Sequence, residues 1–218
     1  MRPEPQGNGP QRASDQAYQR LLEMILDLRI PPGSVVNEQQ LATELGFGRM
    51  PVREALARLA GARFITVMPR RGTVVTALSL DDVLDMFEAR EAIECGVAHI
   101  AARRASGDDL ATLRELIART ERAREGGDAA TFLRDDHEIH AFLVHMIKNP
   151  LLQDAAGRLL QHNLRFWRSY WATRPAQVAS MLSHAELLAA LEARDPLAAE
   201  EAMRTHIAAS RQLLRSIF

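Results

Sequence analysis

A regular series of helix start and stop signals fills the chain from Ser79 to its end. Two Ser-x-x-Asp segments, at Ser79 and Ser106, have the spacing of a capping box, which closes a helix N-terminus. Two further segments, at Asn149 and Asp195, place a capping residue before a proline that suits the first helical position. These signals predict six helices, over 80–105, 107–125, 128–147, 151–172, 175–193 and 196–217. Short loops between them favour an all-α antiparallel helical bundle.

The first third of the chain has a different pattern, in which helices are followed by β-rich runs. Apolar spacing predicts helices over 15–29, over 38–45 and from 51 onward. Runs of β-branched residues at 64–68 and 73–76 flank a Pro-Arg-Arg-Gly turn and predict a hairpin. Three helices and a hairpin are typical of a winged helix-turn-helix, whose third helix enters the DNA major groove. The predicted fold is therefore mostly α, with a disordered tail (1–13), a winged helix-turn-helix domain (14–78) and an all-helical domain (79–218).

Composition excludes several classes of protein. Of the 218 residues, 47% are hydrophobic and 25% are charged, as in ordinary globular proteins. No apolar run approaches the roughly 18 residues of a membrane span, and the tail lacks the apolar segment of a signal peptide. Because Cys95 is the single cysteine, a disulfide framework within the chain is excluded. We therefore expect a cytoplasmic protein with no membrane partner.

Positive charge is concentrated in one short stretch. The net charge of the chain is −1, but six arginines and a single acidic residue lie between Arg49 and Arg71. A compact basic patch on a near-neutral protein indicates a polyanionic partner such as DNA. A solvated arginine-rich face gives the same pattern, so composition alone leaves both interpretations open.

Ionisable side chains lie on the apolar faces of three predicted helices in the second domain. Asp136 and His140 are four residues apart and project from one face, while His184 and His206 lie in line with apolar residues of later helices. A buried carboxylate is costly unless it is paired or binds a metal. Three imidazoles and a carboxylate suit a divalent transition metal, Zn²⁺ first and Ni²⁺ second, although hydrogen-bonded core histidines are the alternative. The remaining histidines considered are predicted to lie on the surface: His137, His145 and His162.

These motifs together resemble the GntR family of transcriptional regulators, and within it the FadR subfamily with its helical C-terminal FCD domain. The resemblance covers about residues 15–218. Its marks in the first domain are LATELG at 41–46, RMPVREALARL at 49–59 and Arg71-Gly72. Its marks in the second domain are Arg90 to Glu94, Asp136 to His140, Asn149-Pro150, His184 and His206. With six bundle helices, the chain looks most like the shorter VanR-like variant of this domain.

The resemblance implies a role for each matching residue. It implies DNA contacts by Gln39, Arg49, Arg53, Arg70, Arg71 and Gly72. It implies that residues 79–218 form an effector-binding and dimerisation domain, in which a small carboxylate effector binds beside a metal. The implied metal ligands are Asp136, His140, His184 and His206, and the implied effector contacts are Arg90 and Asn163. A salt bridge of Arg90 with Glu91 or Glu94 is the structural alternative, and for Trp167 and Tyr170 core packing is favoured over lining the effector pocket.

Three positions depart from the usual pattern of the family. Gly48 and Met50 stand where serine or threonine is common, which affects the expected DNA sequence preference. Arg63 replaces a glycine that commonly ends the third helix, at an expected cost in stability at the helix end or with a gain of a phosphate contact. Both central arginines, Arg49 and Arg53, are retained.

The function that these observations favour is a homodimeric, ligand-responsive repressor bound to a pseudo-palindromic operator in double-stranded DNA. One alternative is a metal-dependent hydrolase or lyase, in which the same site activates a water. Against it, the four metal ligands leave no evident general base, so we expect no enzymatic activity. Another alternative is a regulator for which the metal itself is the signal, without an organic effector.

Overall fold

A computed structural model describes residues 12–172 and 183–214. The chain divides into two compact units between Ala77 and Leu78. Within the described residues, the first unit contains α1 (Ala13–Leu26), β1 (Val35–Val36), α2 (Glu38–Leu45), α3 (Arg49–Gly61), β2 (Ile65–Met68) and β3 (Gly72–Val75). The described part of the second unit is helical and contains α4 (Leu80–Arg104), α5 (Gly107–Glu125), α6 (Ala129–Met146), α7 (Pro150–Trp171), α8 (Ala185–Glu192) and α9 (Pro196–Leu214).

The first unit is a winged helix-turn-helix, as predicted. Its three strands form an antiparallel sheet in the order β1-β3-β2, and the β2–β3 hairpin is the wing. Helix α1 packs against α3 over a core that includes Leu21, Val52, Leu59 and Phe64. The sequence did not predict β1, because a two-residue strand has no periodicity of its own and depends on pairing with β3.

Helix ends follow the capping signals in the sequence. Ser79 and Ser106 each accept a hydrogen bond from the backbone N–H three residues later, and both capping boxes are complete. Asn149 accepts hydrogen bonds from the N–H groups of Leu151 and Leu152 at the start of α7. Gly46 ends α2 with φ of +72°, a conformation that glycine adopts without a steric penalty. Local chemistry therefore sets most of the helix bounds.

Several predicted bounds need correction. Helix α1 begins at Ala13, inside the predicted disordered tail, most of which lies outside the described residues. Helix α3 begins at Arg49, two residues before the predicted Pro51. The first part of the predicted helix 175–193 lies largely outside the described residues, and His184 is the cap residue before α8 instead of a residue within the helix. Arg63 follows α3 with φ of +63°, so the missing glycine leaves a non-glycine residue in a strained left-handed conformation.

Helix α4 is the centre of the second unit. It packs against α6, α7, α8 and α9, while α5 packs against α6 and α8. The core between the helices contains large buried side chains, among them Phe87, Phe132 and Trp167. No helix in the described ranges is long and apolar enough to cross a membrane. Because α4 has four neighbours, its buried face can bring together groups from most of the bundle.

Removal of the serine hydroxyl from one capping box should destabilise the protein. Ser106→Ala removes the acceptor for the N–H of Asp109 and should lower the free energy of unfolding by about 1 kcal/mol. Thr112→Ala, at an exposed position in the same helix, is the control and should not lower the free energy of unfolding, because alanine is the better helix former. Urea unfolding followed by far-UV circular dichroism measures both. Equal stability of the two variants would contradict the capping role.

Candidate metal centre and nucleic-acid interface

Four ionisable side chains meet in the core of the second unit. Asp136 and His140 come from α6, His184 directly precedes α8, and His206 comes from α9. All four residues are buried, and each offers one donor atom, the four atoms lying within 4.8 Å of one another. The structure thus brings together from three elements the residues that the sequence predicted as a metal site.

The donor atoms have separations that suit one small ion. Nε2 of His184 lies 3.2 Å from Nε2 of His140 and 3.7 Å from Oδ1 of Asp136. Nε2 of His140 lies 3.9 Å from Oδ2 of Asp136. Four ligands bonded at about 2 Å in a tetrahedron lie roughly 3.3 Å apart. The cluster is therefore close to the size that a divalent transition metal requires.

Burial sets the protonation of the cluster. It raises the pKa of Asp136, and it lowers the pKa of His184 and of His206 well below the usual range. The two imidazoles are therefore neutral at pH 7, with a lone pair available for a metal. Oδ1 of Asp136 and Nδ1 of His206 are buried without a hydrogen-bond partner among the described residues. Unsatisfied buried atoms are costly, so the cluster fits a bound cation better than a closed hydrogen-bond network.

A buried ion pair on α4 supports this cluster. Oε2 of Glu94 lies 2.5 Å from Nδ1 of His140, and Oε1 accepts a 2.6 Å hydrogen bond from Nε of Arg90. Burial alone would raise the pKa of Glu94, but the guanidinium of Arg90 and the adjacent ring of His140 hold it well below its usual range, so the carboxylate is ionised. An anion at Nδ1 keeps the proton there and directs Nε2 toward the other ligands.

The effector contacts implied by the sequence belong to the same network. Nη1 of Arg90 donates a 3.0 Å hydrogen bond to Oδ1 of Asn163 on α7. Of the two acidic residues considered as partners of Arg90, the structure shows Glu94, while Glu91 pairs with Arg204. The spacing of Arg90 and Glu94 is visible in the sequence, but the contact of Glu94 with His140 was not predicted from it. The available signal was that both charged residues fall on the buried face of α4.

The prediction that His137 and His162 are surface residues was wrong. Both are half-buried, whereas His145 is exposed. Burial, together with the nearby His140 and Arg168, lowers the pKa of His137 to about 4. Trp167 is buried among aromatic rings and Tyr170 is half-buried at its edge, which agrees with core packing.

The residues predicted to contact DNA are all exposed on the first unit. Gln39 lies in the first turn of α2, and Arg49 and Arg53 lie in the first two turns of α3. Nε of Arg53 is 3.1 Å from Glu38, and Nε of Arg49 is 3.8 Å from the same carboxylate. Two cationic side chains are therefore held side by side at the helix N-terminus, where exposed charge can meet phosphate or guanine.

The hairpin carries the remaining predicted DNA contacts. Arg70 and Arg71 lie at the exposed turn between β2 and β3, and the exposed Gly72 is the first residue of β3. Gly72 has φ of +83°, which favours glycine over other residues. Another arginine of the basic stretch, Arg58, instead pairs with Asp15 and lies over the ring of Tyr18, so part of the positive charge has a structural role.

Comparison with known proteins identifies both units. Residues 13–75 match the gntR family of bacterial regulatory proteins, and residues 85–209 match the FCD domain. The transcriptional repressor RspR of Escherichia coli K12 is 28% identical over 218 residues, which cover 100% of this chain and 95% of that protein. The Nta operon transcriptional regulator of Aminobacter aminovorans is 30% identical over 167 residues, or 76% of this chain and 79% of that protein.

A solved structure shows the same fold. Escherichia coli McbR/YncC has a TM-score of 0.80 at 23% identity, and the match covers 94% of this chain and 98% of that one. The named relatives are transcriptional regulators, which confirms the regulatory class over the metalloenzyme alternative. The chain belongs to the GntR family of bacterial transcriptional regulators and carries an FCD domain after its winged helix-turn-helix.

Proposed function

We propose that this protein is a homodimeric repressor that acts in the cytoplasm and releases its operator in response to a small carboxylic acid. The observation that carries the proposal is the buried cluster of Asp136, His140, His184 and His206 inside the FCD domain of a DNA-binding regulator. Buried ionisable groups are expensive to keep unless they bind something. In a regulator without catalytic function, a signal molecule is the natural ligand of such a site.

Zn²⁺ is the proposed ion, with Ni²⁺ as the second choice, because three imidazoles and one carboxylate suit borderline transition metals. When bound, such an ion supplies Lewis-acidic positions that suit a carboxylate. In the proposed site, His140 is oriented by Glu94, and Arg90 provides a fixed positive charge on the same buried face of α4. Asn163 orients the guanidinium of Arg90 from α7. These groups favour an anionic ligand over a neutral or cationic one.

DNA binding is proposed to use the exposed N-terminal turns of α3 and the wing. Arg49 and Arg53 contact guanine edges and phosphates in the major groove, and Gln39 contacts the DNA from α2. Arg70, Arg71 and Gly72 contact the neighbouring minor groove from the hairpin. A two-fold dimer presents two such surfaces, so the operator is pseudo-palindromic. The effector lowers DNA affinity only if it binds better to the state that is poor at DNA binding.

Replacement of single arginines should separate phosphate contacts from base contacts. Arg53→Ala should weaken operator binding by about 1–3 kcal/mol for all sequences and reduce the salt slope by about 1. Arg49→Ala should weaken binding similarly and also relax preference at one base pair of each half-site. The operator is first selected from fragmented genomic DNA, and affinities are then measured by fluorescence anisotropy at several salt concentrations. The charge-matched control is Arg122→Ala, at an exposed position of α5; if it weakened binding as much, this assignment would fail.

Glu94→Gln should weaken metal binding about 10- to 100-fold, because the neutral amide no longer holds the proton on Nδ1 of His140. Glu91→Gln, one turn away on the same helix and paired with Arg204 at the surface, is the matched control. Zn²⁺ affinity is measured by competition with a chromophoric chelator. Equal affinities for the two variants would show that Glu94 does not support the site.

Metal removal tests the proposed function directly. Protein treated with a chelator should retain operator binding but lose its response to a panel of mono- and dicarboxylic acids, because the acids lose their binding site. Re-addition of Zn²⁺ should restore the response, which is measured as a carboxylate-dependent change in operator affinity. A change in operator affinity caused by Zn²⁺ alone would instead support a metal sensor. A carboxylate response that survives chelation would contradict a role for the metal.

A further inference from the structure

Helix α3 exposes one large apolar side chain beside its two arginines. Met50 is 59% exposed, whereas the other large apolar residues of the helix, Val52, Leu56 and Leu59, are buried in the core of the first unit. Met50 directly follows Arg49 and lies one turn before Glu54. The exposed large apolar side chain of α3 therefore lies beside the charged groups proposed to contact DNA.

Helix geometry places Met50 on the outermost line of α3. At about 100° per residue, Met50 lies almost opposite the face formed by Val52 and Leu59, which is turned into the core. Ala57 follows two turns later on the same outer line and is exposed. Arg53 lies beside this line, on the side where Glu38 of α2 accepts its hydrogen bond. In the first turn of α3 this outer line therefore carries an apolar residue, Met50, and the acidic Glu54 follows one turn later.

The surroundings of Met50 leave its side chain unobstructed. The preceding cap residue is Gly48, which has no side chain, and even a Cβ there would meet only the ring of Pro51 within 4 Å. Arg49 and Arg53 are both drawn toward Glu38, so their stems do not cover Met50 completely, as its exposure shows. A single exposed apolar residue is common on protein surfaces. Met50, however, lies at the N-terminus of the helix that is proposed to enter the major groove, where a DNA base can contact it.

We propose that Met50 contacts the C5 methyl group of a thymine in the major groove and thereby specifies one base pair in each operator half-site. This inference rests on the proposed function, since it requires α3 to enter the groove. Base edges in the major groove offer hydrogen-bond donors and acceptors, which suit arginine, and one apolar feature, the thymine methyl. The flexible, polarisable methionine side chain is suited to packing against such a methyl group.

Removing only that methyl group tests the proposal. Uracil replaces one thymine at a time in the operator selected with the wild-type protein, which changes no hydrogen-bonding group. The wild-type protein should lose about fourfold in affinity at one thymine of each half-site, as expected for one buried methyl group. Met50→Ala changes both protomers of the proposed dimer, so it should bind the thymine operator about as weakly as the wild type binds an operator with uracil at that thymine in both half-sites. It should also lose nothing further when the same thymine is replaced.

The control for Met50→Ala is a variant that loses an exposed apolar side chain elsewhere in the first unit. Val35→Ala removes an equally exposed apolar side chain from β1 and should keep the wild-type response to uracil. If Met50→Ala still loses affinity at every thymine as the wild type does, the proposal is overturned while operator binding stands. If the wild-type protein selects no DNA sequence at all, the proposed function fails together with this inference.

Discussion

The buried pair of Arg90 and Glu94 is the interaction on which the C-terminal site depends. Each buried ion costs several kcal/mol of desolvation, which is recovered only with close and complete partners. Here the carboxylate lies between a guanidinium at 2.6 Å and an imidazole at 2.5 Å. Without Arg90, burial would favour a protonated Glu94, which is a poorer acceptor for the Nδ1 proton of His140. The orientation of His140, one of the four proposed ligands, therefore depends on a charge pair that does not itself bind the metal.

This pair also connects the proposed site to several helices of the second unit. Arg90 and Glu94 belong to α4, His140 to α6 and Asn163 to α7, so the hydrogen bonds of Arg90 and the close contact of Glu94 with His140 together join three helices. The same α4 packs against α8 and α9, which bring the remaining two histidines. Its first residue follows the Ser79 cap, close to the boundary between the two units. A ligand that shifts α4 thus acts on the helix that continues directly from the DNA-binding unit along the chain.

Features that depend on residues close in the chain were predicted better from the sequence than features that depend on the packing of distant elements. Capping boxes at Ser79 and Ser106 were predicted correctly because both partners lie within four residues. Asp136 and His140 were recognised because polar groups interrupt an apolar face of one helix. Strand β1 was missed because it depends on a partner about forty residues away, and the contact of Glu94 with His140 was missed because it exists only once α4 and α6 have packed. Half-buried His137 was misjudged for a related reason, since Arg168 of α7 and Glu94 of α4 lie near it in addition to His140 of its own helix.

An arginine–glutamate pair occurs in each unit, but the pair in the first unit is exposed and easily replaced, whereas the pair in the second unit is buried and costly to break. Arg53 and Glu38 pair where the arginine side chain is 60% exposed, and such a pair contributes about 0–1 kcal/mol, so a phosphate or guanine can replace the carboxylate at little cost. Arg90 and Glu94 pair at 1% and 3% exposure, where removal of one partner costs about 3–5 kcal/mol. The proposed effector carboxylate would therefore have to share Arg90 with Glu94 instead of displacing it. Nε and Nη2 of Arg90 both donate to Glu94, and Nη1 donates to Asn163, so a shared ligand would have to use the N–H groups of Nη1 and Nη2 that point away from these partners.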